Sequence, residues 1–181
     1  EPLAAYIYEF FNRFGFSDFD AIKKSIAKES GVQFFSKTHK LLIDRDYLIL
    51  EKIEEESFFE CLIKKESKSI KYPINISFQM KEELVSNFNN YSACFDYEKL
   101  KFPLKIRKWK NGDKFIPLGM KNYKKISDFF IDIKLDVFTK EKTFLLCSGD
   151  KIIWIVGHRI DERFRITAKT KKTYIANLLD N

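Results

Sequence analysis

The chain has 181 residues, 45% hydrophobic and 16% aromatic with 19 Phe, enough to bury the core of one domain or two small ones and too much for a disordered tail. No run of about 18 apolar residues occurs, which excludes a membrane-spanning helix. The formal charge of +7 is uneven: residues 1–100 hold 14 Lys and Arg against 17 Asp and Glu, whereas residues 101–181 hold 19 against 9, an excess that points to a polyanionic partner, nucleic acid first.

At the start, Leu3, Tyr6, Ile7, Phe10, Phe11 and Phe14 fall on one helical stripe, and Gly15 is a natural stop. The stripe is expected in the core. Ser17 or Asp18 can cap a second helix running to about Glu29, with Phe19, Ile22 and Ile26 inward. Residues 1–30 therefore read as a helical hairpin. The opening "EPLAAYIYEF" lacks Met, already has a helical pattern and resembles no signal peptide, so the chain is expected to be a piece of a longer protein.

After Gly31 the period changes. "VQFFS", "HKLLID" and "YLILEKI" read as strands, the last two joined as a hairpin around "DRD"; "FFECLIKK" and "SIKYPINISFQM" continue the pattern. "EKIEEES" reads as a solvated acidic edge and "KEELVSNFNNY" as a short helix. Residues 31–100 form a β-rich connecting segment, and residues 101–181 a basic domain.

That domain opens with "KFPLKIRKWK". Phe102, Leu104 and Ile106 alternate with Lys105 and Arg107, and Trp109 shares the parity of the two cations, so a strand would expose a basic and aromatic row. In "KNYKKISDFFIDIKL", Ile126, Phe129, Phe130 and Ile133 have helical spacing, with Asn122 as the expected N-cap. Lys124 and Lys125 would then occupy the first turn, where the positive helix end disfavours cations by about 0.3–1 kcal/mol each. A phosphate bound to the helix N–H groups and these lysines would account for them; i,i+4 pairing with Asp128 and Asp132 is the alternative. "TFLLCSG" and "KIIWIVG" follow as strands around Ser148-Gly149-Asp150, and a last strand closes the chain. The fold class is α+β: an N-terminal helical hairpin followed by a β-rich domain with a few short helices.

No catalytic constellation emerges. His39 and His158 are far apart, no serine sits in a GxSxG elbow, and "SGD" lacks the glycines and lysine of a phosphate loop. Asp128 and Asp132 read as a salt-bridged surface rather than a metal site. Cys61, Cys94 and Cys147 form neither a disulfide framework nor a metal knuckle, which fits reduced thiols in the cytoplasm. A binding surface is easier to assemble: Lys101, Lys105, Arg107, Lys108 and Lys110, then Lys121, Lys124 and Lys125, then Arg159, Arg163, Arg165, Lys171 and Lys172. Such cations suit phosphates, and Trp109 could stack on a base or ribose.

The stretch "RKWKNGDKFIPLGMKNYKKISDFFIDIKL" with "LCSGDKIIWIVGHRIDERFRIT" resembles the C-terminal domain of the tRNA(Ile)-lysidine synthase family. The likeness rests on Arg107, Trp109, Gly112-Asp113, Phe115, Pro117-Leu118-Gly119-Met120, Lys124-Lys125, Ser127 to Phe130, Asp132 and Lys134. It continues through Trp154, Gly157, Arg159-Ile160-Asp161 and Arg163-Phe164, over roughly residues 96–178. "SKTHKLLIDRDYLIL" resembles the segment before that domain.

The resemblance implies a cytoplasmic ligase: ATP adenylates the wobble cytidine of a CAU-anticodon isoleucine tRNA, and the side-chain amine of lysine displaces AMP. The family's ATP-handling SGGxDS loop is absent from this sequence, so ATP and magnesium are expected in an N-terminal domain missing here, with no cofactor, metal or catalytic residue in this chain. Residues 1–30 would end the helical substrate-recognition region. Residues 101–181 would engage the tRNA acceptor stem, with Lys105, Arg107, Trp109, Lys121, Lys124, Lys125, Arg159 and Arg163 as the expected contacts. A homodimer interface is the alternative role.

Overall fold

The structure, a computed structural model, describes residues 2–26, 28, 30–53, 60–84 and 91–179. Most of the acidic stretch expected at 51–57 and of the short helix expected at 81–91 lies outside these. The chain divides into two compact units, Glu1–Ser57 with Asp136–Lys140 and Phe58–Leu135 with Glu141–Asn181. The strands at 32–52 therefore group with the helical hairpin, and those from residue 60 onward with the basic segment, across the expected divisions at 30 and 100.

In the first unit, α1 (Pro2–Phe11) and α2 (Phe19–Ile26) accompany an antiparallel sheet of β1 (Val32–Phe35), β2 (His39–Asp44) and β3 (Tyr47–Lys52). α1 gives way to a single 3₁₀ turn, closed by Gly15 at φ 79°, a left-handed conformation that glycine adopts without steric cost. Of the two candidate caps for α2, the structure uses Asp18, whose Oδ1 accepts from the Ala21 N–H at 3.1 Å. Ile7, Phe11, Phe16, Ile22 and Leu41 form the core. The α1 stripe is narrower than expected: Leu3, Tyr6 and Phe10 are exposed, because the helix buries only the line through Ile7 and Phe11.

The second unit holds β4 (Glu60–Ile63), β5 (Ser69–Ile70), β6 (Ile76–Lys81), β7 (Ser92–Asp96) and β8 (Leu104–Lys108). The two-residue strands β9 (Lys114–Phe115) and β10 (Lys124–Lys125) precede α3 (Ile126–Asp132). α4 (Val137–Lys142) crosses the division between units, and the second unit resumes through β11 (Phe144–Ser148), β12 (Lys151–Ile155), β13 (Arg159–Ile160) and β14 (Thr173–Leu178). Two antiparallel sheets result, ordered β13-β12-β11-β8-β4 and β5-β6-β14-β7, with β9 and β10 as a separate ribbon. The larger core draws on both sheets, including Leu104, Ile106, Leu146 and Trp154 from one and Phe78, Phe95 and Tyr174 from the other. A second core, with Phe115, Ile126, Phe129 and Phe130, packs on Leu145, Cys147, Ile152 and Ile155. Within the five-stranded sheet, β11 and β12 are thus buried on both faces. That is why β11 and β12 read as unbroken apolar runs instead of alternating ones. A bulge between Leu146 and Cys147 redistributes β12 so that Ile153 and Trp154 share a core. The fold is α+β, and no helix among the described residues is long and apolar enough to cross a membrane.

Candidate nucleic-acid interface

The basic row of β8 is not the open face its alternation suggests. Lys105 and Arg107 lie opposite Cys147 and Leu145, on the side of the sheet that carries the second core. Arg107 is only 17% exposed at its side chain. Its Nη1 and Nη2 donate to Asp113 Oδ2 at 2.7 Å and Oδ1 at 2.9 Å, and Nη1 also donates to the Lys108 carbonyl. Such a two-pronged pair is strong and directional, and it raises the guanidinium pKa further. Asp113 also accepts from the Lys110 N–H at 2.7 Å, while its carbonyl accepts from the Ile126 N–H. One carboxylate residue thus ties strand, turn and helix start together. Trp109 lies beyond the end of β8 and meets Phe130 edge-on at 5.4 Å, closing the second core. Lys105 pairs with Glu60 on β4 at 2.8 Å.

A second arginine–aspartate clasp holds the stretch "RIDER", residues 159–163. Asp161 is fully buried, and its carboxylate accepts from Ile116 N, Arg163 N, Arg163 Nε and Arg163 Nη2 at 2.7–2.9 Å. Pro117 bridges to Asp161, Leu118 N donates to the Ile160 carbonyl, and Gly119 N donates to Glu162 Oε2. The "PLG" loop is thereby fastened along its length. Arg163 Nη1 donates to Tyr123 Oη at 2.9 Å, tying the segment with Lys121 and Lys125 to the one with Arg159.

Helix α3 begins later than expected. Its N-cap is Lys125, in extended conformation, not Asn122. Lys124 and Lys125 pair with Phe115 and Lys114 in the ribbon, so backbone hydrogen bonding to β9 claims residues assigned to the first helical turn. The first turn instead holds Asp128, the charge its positive end favours. The lysines thus precede the first turn, and Lys124 is paired with Asp132 rather than at i,i+4.

Three of the expected cations remain open. Lys121, Lys125 and Arg159 are exposed and have no carboxylate partner among the described residues. A cleft of about 440 Å³ that sequence reading missed lies beside Lys99, Lys101, Lys151 and Arg163, at the Ser148–Asp150 turn. The hairpin reading of that turn was available, but not its neighbour: Lys101 N donates to Ser148 Oγ across 47 positions at 2.7 Å.

For catalysis the geometry offers little. His39 Nδ1 is engaged by Thr38 in the first unit. His158 lies beside Phe130 in the second, and burial lowers its pKa. Burial pushes the Cys147 thiol up to about 11, which makes it a poor nucleophile. Among the described residues no group of three or more His, Cys, Asp or Glu could hold a metal.

Two family models match the chain: "TilS substrate binding domain" over residues 1–53 and "TilS substrate C-terminal domain" over residues 104–176. The tRNA(Ile)-lysidine synthase of Parabacteroides distasonis is 45% identical over 179 residues, covering 96% of this chain and 41% of that protein. That of Bacteroides thetaiotaomicron is 35% identical, covering 97% and 40%. The chain therefore spans about two-fifths of the length of these relatives. A solved structure, "Crystal structure of TILS C-terminal domain", has the same fold, with a TM-score of 0.52 at 16% identity over 67% of this chain and 92% of that one.

Proposed function

Because the chain belongs to the tRNA(Ile)-lysidine synthase family, within its C-terminal substrate-binding region, we propose that it positions tRNA for such an enzyme and has no catalytic site of its own. The longer enzyme joins lysine to the wobble cytidine of CAU-anticodon isoleucine tRNA in the cytoplasm, with ATP and magnesium held outside these 181 residues.

One observation carries the reading: the cations sort into two kinds. Arg107 and Arg163 spend their guanidinium groups on Asp113 and Asp161, whereas Lys121, Lys125 and Arg159 face solvent with no carboxylate partner among the described residues. The first kind, with Trp109, shapes the loops. The second contacts phosphates of the acceptor stem, with Lys105 and Lys124 joining when they leave their part-exposed carboxylates.

Titrating tRNA(Ile) into the chain and into a Lys121→Ala, Lys125→Ala, Arg159→Ala variant tests this. The variant is expected to bind at least tenfold more weakly, a loss of about 1.4 kcal/mol, with an unchanged melting temperature. Equal affinity would overturn the assignment. ATP added to the chain alone is expected to give no saturable heat, and micromolar binding would overturn the absence of a catalytic site. The alternative role, a homodimer interface, is favoured by Met120 and Ile131, 51% and 65% exposed; sedimentation without RNA decides it.

A further inference from the structure

We propose that Tyr123 is a stacking platform for an unpaired base at the 3′ end of the tRNA, a role that rests on the acceptor-stem reading above. The alternation of β8 assigns stacking to Trp109, but that ring meets Phe130 edge-on at 5.4 Å and closes the second core. Tyr123 is instead 55% exposed, and it stands between the open cations Lys121 and Lys125.

Its placement follows from the β9–β10 ribbon. Lys124 lies opposite Phe115, and Lys125 opposite Lys114. Successive side chains alternate between faces, so Phe115 enters the second core while Lys114 and Lys125 take the outer face. Tyr123, two positions before Lys125, has the same parity. The contacts agree, since the Lys114 ammonium lies 5.2 Å from the centroid of the Tyr123 ring.

Arg163 steadies the same ring. Its Nη1 donates to Tyr123 Oη at 2.9 Å, and its guanidinium carbon lies 5.2 Å from the ring centroid. Arg163 is itself fixed on Asp161. The ring is therefore held before any RNA arrives, and a side chain ordered in advance loses less freedom on binding. More than half of the residue still faces solvent, an exposure that a ring enclosed on both faces could not have.

The partner of such a ring is an unpaired base. Inside a duplex each base is covered above and below by its neighbours, so a ring on a protein surface finds no open face there. Where pairing ends, bases are free to stack on aromatic side chains. With Lys121 and Lys125 on stem phosphates, the ring between them meets the strand that runs on past the last base pair. A tRNA acceptor stem ends in such a single strand at its 3′ terminus.

The test titrates tRNA(Ile), whole and trimmed of its single-stranded 3′ nucleotides, into the whole chain and its Tyr123→Leu and Tyr123→Phe variants. Tyr123→Leu is expected to bind whole tRNA at least fivefold more weakly, about 1 kcal/mol. Tyr123→Phe keeps the ring and is expected to bind within about twofold of wild type. Trimmed tRNA is expected to bind all three proteins alike, and more weakly than whole tRNA binds wild type. The slope of log affinity against log salt is expected to be the same for all three, because stacking neutralises no phosphate. The stacking role is overturned if Tyr123→Leu binds whole tRNA as wild type does, if Tyr123→Phe falls with it, or if the leucine deficit persists on trimmed tRNA. In each of those cases a wild type that binds tRNA with steep salt dependence leaves the positioning reading standing. A wild type that binds neither tRNA ends both.

Discussion

Asp161 and Asp113 show at the residue scale how much a count of charges conceals. Asp161 is 0% exposed and accepts four hydrogen bonds, three from Arg163 and one from Ile116. Replacing it with Ala strands a guanidinium and two backbone N–H groups, those of Ile116 and Arg163, and breaking a buried pair from one side costs about 3–5 kcal/mol. Arg163 is 26% exposed at its side chain and regains some water, so the expected loss is near the lower end, read as a fall in the urea midpoint. Lys121→Ala, with no partner to lose, should stay within about 0.5 kcal/mol. The sequence displays Arg107 and Arg163 as members of a basic surface, because a residue's partner is not written beside it. The nearest legible hint is the acid a few positions away in each motif, at Asp113 and Asp161.

His158 gives a second residue-scale expectation. Burial lowers its folded pKa below the ordinary 6.5. Between those two values the unfolded chain binds a proton that the folded chain does not, so its contribution is full above pH 6.5 and is lost as pH falls. One such group gives a slope of at most about 1.4 kcal/mol per pH unit. Stability measured by urea titration at pH 7.5 and 5.5 should therefore fall less for His158→Gln than for wild type. Equal falls would assign the acid sensitivity to other groups.

At the scale of elements, periodicity found α3 but misplaced its start. Ile126, Phe129 and Phe130 are buried as their spacing requires, while Ile133 falls just past the helix end. Nothing local announces a two-residue ribbon such as β9–β10, since it depends on Lys124 meeting Phe115 and Lys125 meeting Lys114 across a loop. β11 and β12 were legible as strands because their burial on both faces leaves a solid apolar run. The α1 stripe was over-read for the opposite reason: a helix buries one side, and the sequence does not say how wide.

The corrected register of α3 separates two neighbouring lysines. Lys125 is exposed and caps the helix without a side-chain bond. Lys125→Glu should therefore leave stability level or raise it by a few tenths of a kcal/mol, while weakening tRNA binding. Lys124→Glu loses the Asp132 pair and places two acids together; with Asp132 56% exposed, the expected cost is up to about 1 kcal/mol. Melting temperatures that fall alike for both variants would contradict the helix boundary.

For the whole molecule, the excess charge matters more than any one contact. Residues 101–181 carry 19 Lys and Arg against 9 Asp and Glu, and the clasps at Arg107 and Arg163 remove two of these cations from the count available to RNA. If Lys121, Lys125 and Arg159 each neutralise one phosphate, their counterions are released on binding. Three contacts to a duplex stem give a slope of log affinity against log salt of about −2.7, or roughly a 40-fold loss between about 50 and 200 mM salt. The Lys121→Ala, Lys125→Ala, Arg159→Ala variant should bind more weakly at low salt and lose about that much of the slope, so that the two curves converge as salt rises. Arg107→Ala would act differently. It removes a partner of Asp113 and loosens the start of α3, so it should lower the melting temperature and leave the salt slope of the remaining folded protein unchanged. A triple variant with the wild-type slope, or an Arg107 variant that flattens it without destabilising the fold, would exchange the two roles and place the phosphate contacts on β8.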